Sequence, residues 1–246
     1  MDGFMHLAAL GIGMLFIVVF AIVYLNSVRD DSSSRLVKML DPFEVSFSTF
    51  KKATFASGTF DGIRGTINLT PESKGRYLVK MRMRLDVPGL PVFSLSTERT
   101  SIFLRKYANE HTERWPRVGE GYFVKTESAD LPSEAVTQAL SSATLDHIDA
   151  FERQYEGILL YKADGTLFKR LDIDLLRAVP ELRNQHLLMT HFYLQTKRGA
   201  EVFQAFVRDS AKLAKELQKD FASLADAPAP VTDEKRRLTI KDNSPL

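Results

Sequence analysis

The chain has 246 residues, 44% hydrophobic and 26% charged, which excludes a collagen, a fibrous repeat and a wholly disordered protein. It has no cysteine, so disulfide frameworks, Cys-ligated zinc, Fe–S clusters and thiol catalysis are excluded together. Lys and Arg number 33 against 31 Asp and Glu, a net charge of +2 that gives no global electrostatic case for nucleic acid.

Residues Phe4 to Leu25 form an apolar run whose only ionisable side chain is His6. As a helix the run would be about 33 Å long, close to the roughly 30 Å of membrane hydrocarbon. Its N-terminal flank has no Lys or Arg and its end has no A-x-A-like site, unlike a cleavable signal peptide. The sequence therefore predicts an uncleaved transmembrane anchor over 1–25. Arg29, Arg35 and Lys38 follow it, which by the positive-inside rule leaves the rest of the chain in the cytoplasm, at a bacterial-type inner membrane. Ala9 and Gly13 have the small-xxx-small spacing that lets two membrane helices pair.

A polar linker is expected over 26–34, a soluble α+β domain over 35–224 and a disordered tail over 225–246. The domain reads as an antiparallel β-meander, a helix, a β-hairpin and C-terminal amphipathic helices. Pro42 suits the first turn of a helix running to about Ala56. Strands are expected at Ile63–Thr70 and Tyr77–Val87. In the second, Tyr77, Val79, Met81, Met83, Leu85 and Val87 alternate with Lys80, Arg82, Arg84 and Asp86, so one face reads as buried and the other as wet. Val92–Arg99, Ile102–Tyr107 and Tyr122–Thr126 are further short strands. A helix is expected over Pro132–Gln154, and a hairpin from Gly157–Lys162 and Thr166–Ile173 around Asp164-Gly165. Glu181–Lys197 reads as helix. Ala200–Leu224 is a long amphipathic helix, with Ser210 and Asp220 as polar exceptions on its apolar stripe.

Candidate chemistry is sparse. Asp172 and Asp174 share a face if they end a strand, and could hold a divalent cation through oxygen. The stronger reading makes them a wet strand edge, with Asp174 capping the next helix. His186 and His191 lack the i, i+4 spacing of a helical zinc site. Glu110-His111-Thr112-Glu113 lies in a polar loop, and no nucleophile elbow or phosphate-binding loop occurs. Lys80, Arg82 and Arg84 form a basic row that reads as a solvated face, or else meets phosphates of lipid. Trp115 is either an interface anchor or a plug at the end of the sheet.

These features imply a membrane-anchored interaction or scaffold protein. The alternatives are a membrane-tethered enzyme with a carboxylate or divalent-cation site, and an extracytoplasmic domain of inverted topology. The expected partners are the membrane and another protein, with self-association possible. No cofactor and no small-molecule ligand are indicated. The first half of the long helix should dock on the domain, and the second half, around Leu213 and Leu217, should project as the partner-binding face.

Overall fold

The computed structural model describes residues 17–20, 34–41, 43–50, 53–73, 76–119, 121–127, 131–163, 169–195 and 199–225. A short helix, α1 (helical at 34–39), leads into four strands in sequence: β1 (Val45–Phe50), β2 (Ala53–Phe60), β3 (Ile63–Ser73) and β4 (Arg76–Leu85). The order continues with β5 (Phe93–Thr97), α2 (Glu98–Tyr107), β6 (Arg117–Val118) and β7 (Tyr122–Thr126). Then come α3 (Ser133–Gln138), α4 (Ser142–Gln154), β8 (Gly157–Lys162), α5 (Lys169–Ala178), β9 (His186–Gln195) and α6 (Ala200–Ala225).

Among the described residues the strands make one nine-stranded sheet in the order β1-β2-β3-β4-β9-β8-β5-β7-β6, with every neighbouring pair antiparallel. The first four are a meander, of which only β3 and β4 fall where strands were expected. The β2–β3 turn is Asp61-Gly62, with φ of 47° and 85°, and Phe60 pairs Ile63 across it. Asp-Gly meets the need of a two-residue hairpin for positive φ at both positions. Beyond β4 the neighbour is β9, about a hundred residues later in the chain.

Helices cover both faces. On one face lies a core of Tyr77, Val79, Met81, Met83 and Leu85 from β4, with Leu36 and Met39 from α1 and Leu40 just after it. It also takes Val136 of α3, Ile148 and Phe151 of α4, and the whole apolar stripe of α6. On the other face Phe103 and Leu104 of α2 and Leu175 and Leu176 of α5 pack on Leu78, Leu159, Tyr161, Leu187 and Met189. The polar exceptions on α6 both have partners. Ser210 Oγ and Thr190 Oγ1 are 2.8 Å apart, and Asp220 Oδ2 accepts from the Ser141 backbone N–H at 2.8 Å.

Several expectations are corrected. Among the described residues no helix is long and apolar enough to cross a membrane, so the expected fold class with a transmembrane helix as its first element is corrected. Within Phe4–Leu25 only residues 17–20 are described, and they are helical; Ala9, Gly13 and the expected helix pairing lie outside the described residues. So do most of the linker and nearly all of the 225–246 tail. The long helix of this fold is α6, whose apolar face lies on its own sheet. The expected helix up to Ala56 is β1 and β2, because VSFSTF alternates with period two and is rich in β-formers.

Glu181–Lys197 is not a helix. Pro180–Leu182 makes a 3-10 turn, and β9 follows at the sheet centre with both faces covered. That explains its near-continuous apolar run, HLLMTHFYL, which a one-faced period cannot describe. Ile102–Tyr107 belongs to α2, where Thr100, Phe103 and Leu104 turn inward and Ile102 outward. Helix 132–154 is split into α3 and α4 by Ser141, whose hydroxyl caps α4 by accepting from the Thr144 N–H at 3.3 Å. The expected second hairpin strand is replaced by α5, and β8 pairs instead with β9 and β5. The Asp164-Gly165 turn lies outside the described residues.

Candidate functional site

The basic row of β4 is not a wet face. Cross-strand register sets Thr66, Arg82 and Met189 in one line and Asn68, Lys80 and His191 in the next, all beneath α2 and α5. Arg82 is 1% exposed and Asp172, from α5, is 2% exposed. Arg82 Nε donates to Asp172 Oδ1 at 3.0 Å and to the Tyr161 hydroxyl at 3.4 Å. Burial works against the Arg82 charge, but Asp172 and Tyr161 more than offset it and hold the guanidinium charged above its ordinary range. Burial, reinforced by Asp172, pushes the Tyr161 hydroxyl well up, so it stays neutral.

Lys80 is half-buried beside this pair, with Nζ 5.6 Å from the centre of the Tyr107 ring. Burial and then the Arg82 charge pull its ammonium down to about 8; Asp172, Glu72 and Asp174 act the other way. His191 stacks on Phe103 at 4.1 Å, and burial followed by Lys80 lowers its imidazole to about 3. It is a neutral ring in the second core. His186 is an odd number of residues away on the same strand and faces the other core, against Phe93, its Nε2 3.1 Å from the Pro91 carbonyl.

Asp172 and Asp174 sit on helix α5, not on a strand. Two residues apart on a helix they diverge by about 200°, so the shared face is lost. Asp172 is committed to Arg82, Asp174 is half-buried, and among the described residues no group of three His, Asp or Glu could hold a metal ion. The carboxylate pair is therefore a structural ion pair and its neighbour. A signal for this was present in the sequence. Asp172 precedes Leu175, Leu176 and Val179 at helical spacing, which puts an acid on an apolar stripe where it needs a buried cation.

The remaining singled-out residues separate. Arg84 is half-buried and pairs with Asp86. Trp115 takes its plug reading: it is buried in the second core, and its Nε1 donates to Glu110 Oε1 at 3.1 Å. Leu213 and Leu217, expected at a projecting partner face, are both 0% exposed in the protein's own core. The stripe stays buried through Phe221, so no second half of α6 is left to project. Glu113 and His111 lie at the exposed surface, and His147 pairs with Glu216 at 2.7 Å.

Two features lie where residue patterns gave no site. A cleft of about 220 Å³ opens on the α5 side of the meander, between the sheet and the Pro180–Leu182 turn. Its lining includes Ser46, Ser57, Thr59, Arg64, Thr66, Arg84 and Glu181. The second feature is the edge of β1, which pairs with β2 on one side and, among the described residues, ends the sheet on the other. Compared with models of protein families and with curated proteins, the sequence matches none.

Proposed function

We propose that this is a non-catalytic interaction protein that self-associates by edge-to-edge pairing of β1. The observation that carries the reading is the strand itself. Val45–Phe50 is six residues long, uncharged and free of proline, with Phe47 43% exposed. Edge strands in monomers are usually blunted by lysine, proline, a bulge or brevity, because their open N–H and C=O groups recruit other strands. The opposite edge is blunted: β6 has two residues.

A second copy of this chain is the partner that fits. In sequence the strand is preceded by Glu44 and followed by Lys51-Lys52. Antiparallel pairing of two copies sets the acidic end of each against the basic end of the other, with no like charges between. The buried, fully committed Arg82–Asp172 pair supports the non-catalytic half of the reading, since a working carboxylate must reach substrate.

The test is light scattering across protein concentrations on the wild type and on Phe47→Lys/Thr49→Lys, which leaves the buried core untouched. The wild type should form a dimer, and the variant should be a monomer with a melting temperature within a few degrees. A wild type that is monomeric at every concentration overturns the reading, as does a variant that still dimerises.

A further inference from the structure

We infer that the cleft between β1–β4 and the Pro180–Leu182 turn is a binding site for a small phosphate ester, mono- or diester, that also carries a hydrogen-bond donor. The inference is independent of the edge pairing. Register builds the floor. Ser46 pairs Ser57, Ser57 pairs Thr66, and Thr59 pairs Arg64, so hydroxyls from three adjacent strands point to one face. Gly65 pairs Met83, so the next step of the same register sets Arg64 opposite Arg84. Like charges at directly opposed strand positions are destabilising. Asp86 pairs with Arg84, whereas Arg64 has no acidic partner among the described residues.

The same cleft contains an unsatisfied buried hydroxyl. Thr66 is 1% exposed, lines the cleft, and its Oγ1 has no hydrogen-bond partner among the described residues. A buried polar atom left unpaired is costly, so it marks a place where a partner is missing. A tetrahedral oxyanion seated between Arg64 and Arg84 would supply that partner and relieve the like-charge contact. Arginine suits the task because its planar fork meets phosphate oxygens in pairs.

The other wall bounds the choice of ligand. Glu181 lines the cleft beside Val179 and Leu182, and its carboxylate repels a second anionic group. It accepts instead from a hydroxyl or an ammonium at the far end of the ligand. The cleft is smaller than the roughly 300–1,000 Å³ of sites that enclose drug-sized ligands, so it takes a phosphate and a short chain rather than enclosing a whole nucleotide. The fitting class is a short phosphorylated alcohol or amino alcohol, free in solution or as the headgroup of a lipid.

Calorimetric titration with inorganic phosphate, glycerol 3-phosphate and phosphoethanolamine tests the site on the full chain. Saturable binding is expected for all three, tighter for the two esters. Arg64→Gln, at an exposed position, should weaken each at least tenfold without moving the melting temperature. Glu181→Gln should strengthen inorganic phosphate and weaken phosphoethanolamine. Vesicles containing phosphatidylethanolamine distinguish the sources: binding to them that Arg64→Gln abolishes assigns a lipid headgroup, and binding of the soluble esters alone assigns a free metabolite. No saturable binding of any probe, or binding that Arg64→Gln leaves unchanged, overturns the inference.

Discussion

At the scale of single residues, Arg82 and Asp172 stabilise the fold only as a pair. Each has lost its water, and their attraction roughly repays the desolvation of both. Asp172→Asn should therefore cost about 3–5 kcal/mol, because it strands a buried guanidinium. The double variant Arg82→Met/Asp172→Leu should be much less damaging, and urea unfolding of the single and double variants measures the coupling. His191 makes a pH prediction of definite sign. Its folded-state value is about 3 against an ordinary 6.5, so the unfolded chain takes up the proton first as pH falls. The stability associated with the neutral ring is complete above pH 6.5 and drains away between there and about 3. Between pH 7 and pH 5 the wild type should lose about 2 kcal/mol more than His191→Gln. Parallel pH curves for the two proteins would mean that the ring is not held neutral. The alternation of β4 made Arg82 look wet because lysine and arginine normally are. Nothing in the strand itself reveals that α5 brings an acid down onto that face.

At the scale of elements, the sequence was most legible where a single face is buried. The α6 stripe, β3, β4 and β7 show a clean period, and their bounds lie within a few residues of the sequence reading. Legibility failed where both faces of a strand are covered, as in β9, and where a short apolar stretch fits either period, as in α2. The length of α6 does not reveal its role. Length suggested a projecting end, but a nine-stranded sheet is broad enough to bury the stripe from Phe203 to Phe221. Ending the chain after Ser210 should thus leave no cooperatively folded domain, since it removes Leu213, Ala214, Leu217 and Phe221 from the core. The graded version is Leu217→Ala, expected to cost about 2–5 kcal/mol. Lys212→Ala, at a position 68% exposed and only loosely paired with Glu216, should stay within about 0.5 kcal/mol. Thermal unfolding ranks the three, and a truncated chain that melts cooperatively would return the end of α6 to the surface.

At the scale of the whole molecule, one sheet is shared by two hydrophobic cores. Strand β4 gives Val79, Met81 and Met83 to the α6 side and Leu78 to the α5 side, and β9 likewise divides Leu188 and Phe192 from Leu187 and Met189. Neither core can lose its helices without exposing a face of the same central strands. Their pairing with strands far away in sequence would then lose half its burial. The two cores should therefore melt together as one unit. Trp115 makes this measurable, because it is the only tryptophan in the chain and belongs to the α5-side core. Its fluorescence reports that face, while far-ultraviolet circular dichroism reports the helices, chiefly α6 on the other. In the wild type the two signals should trace a single transition. In Leu217→Ala, whose cavity lies on the α6 side, both midpoints should fall by the same amount although the substitution is across the sheet from Trp115. A fluorescence midpoint that stays at the wild-type temperature while the helical signal moves would mean that the cores unfold separately, and that the central strands hold one face without the other.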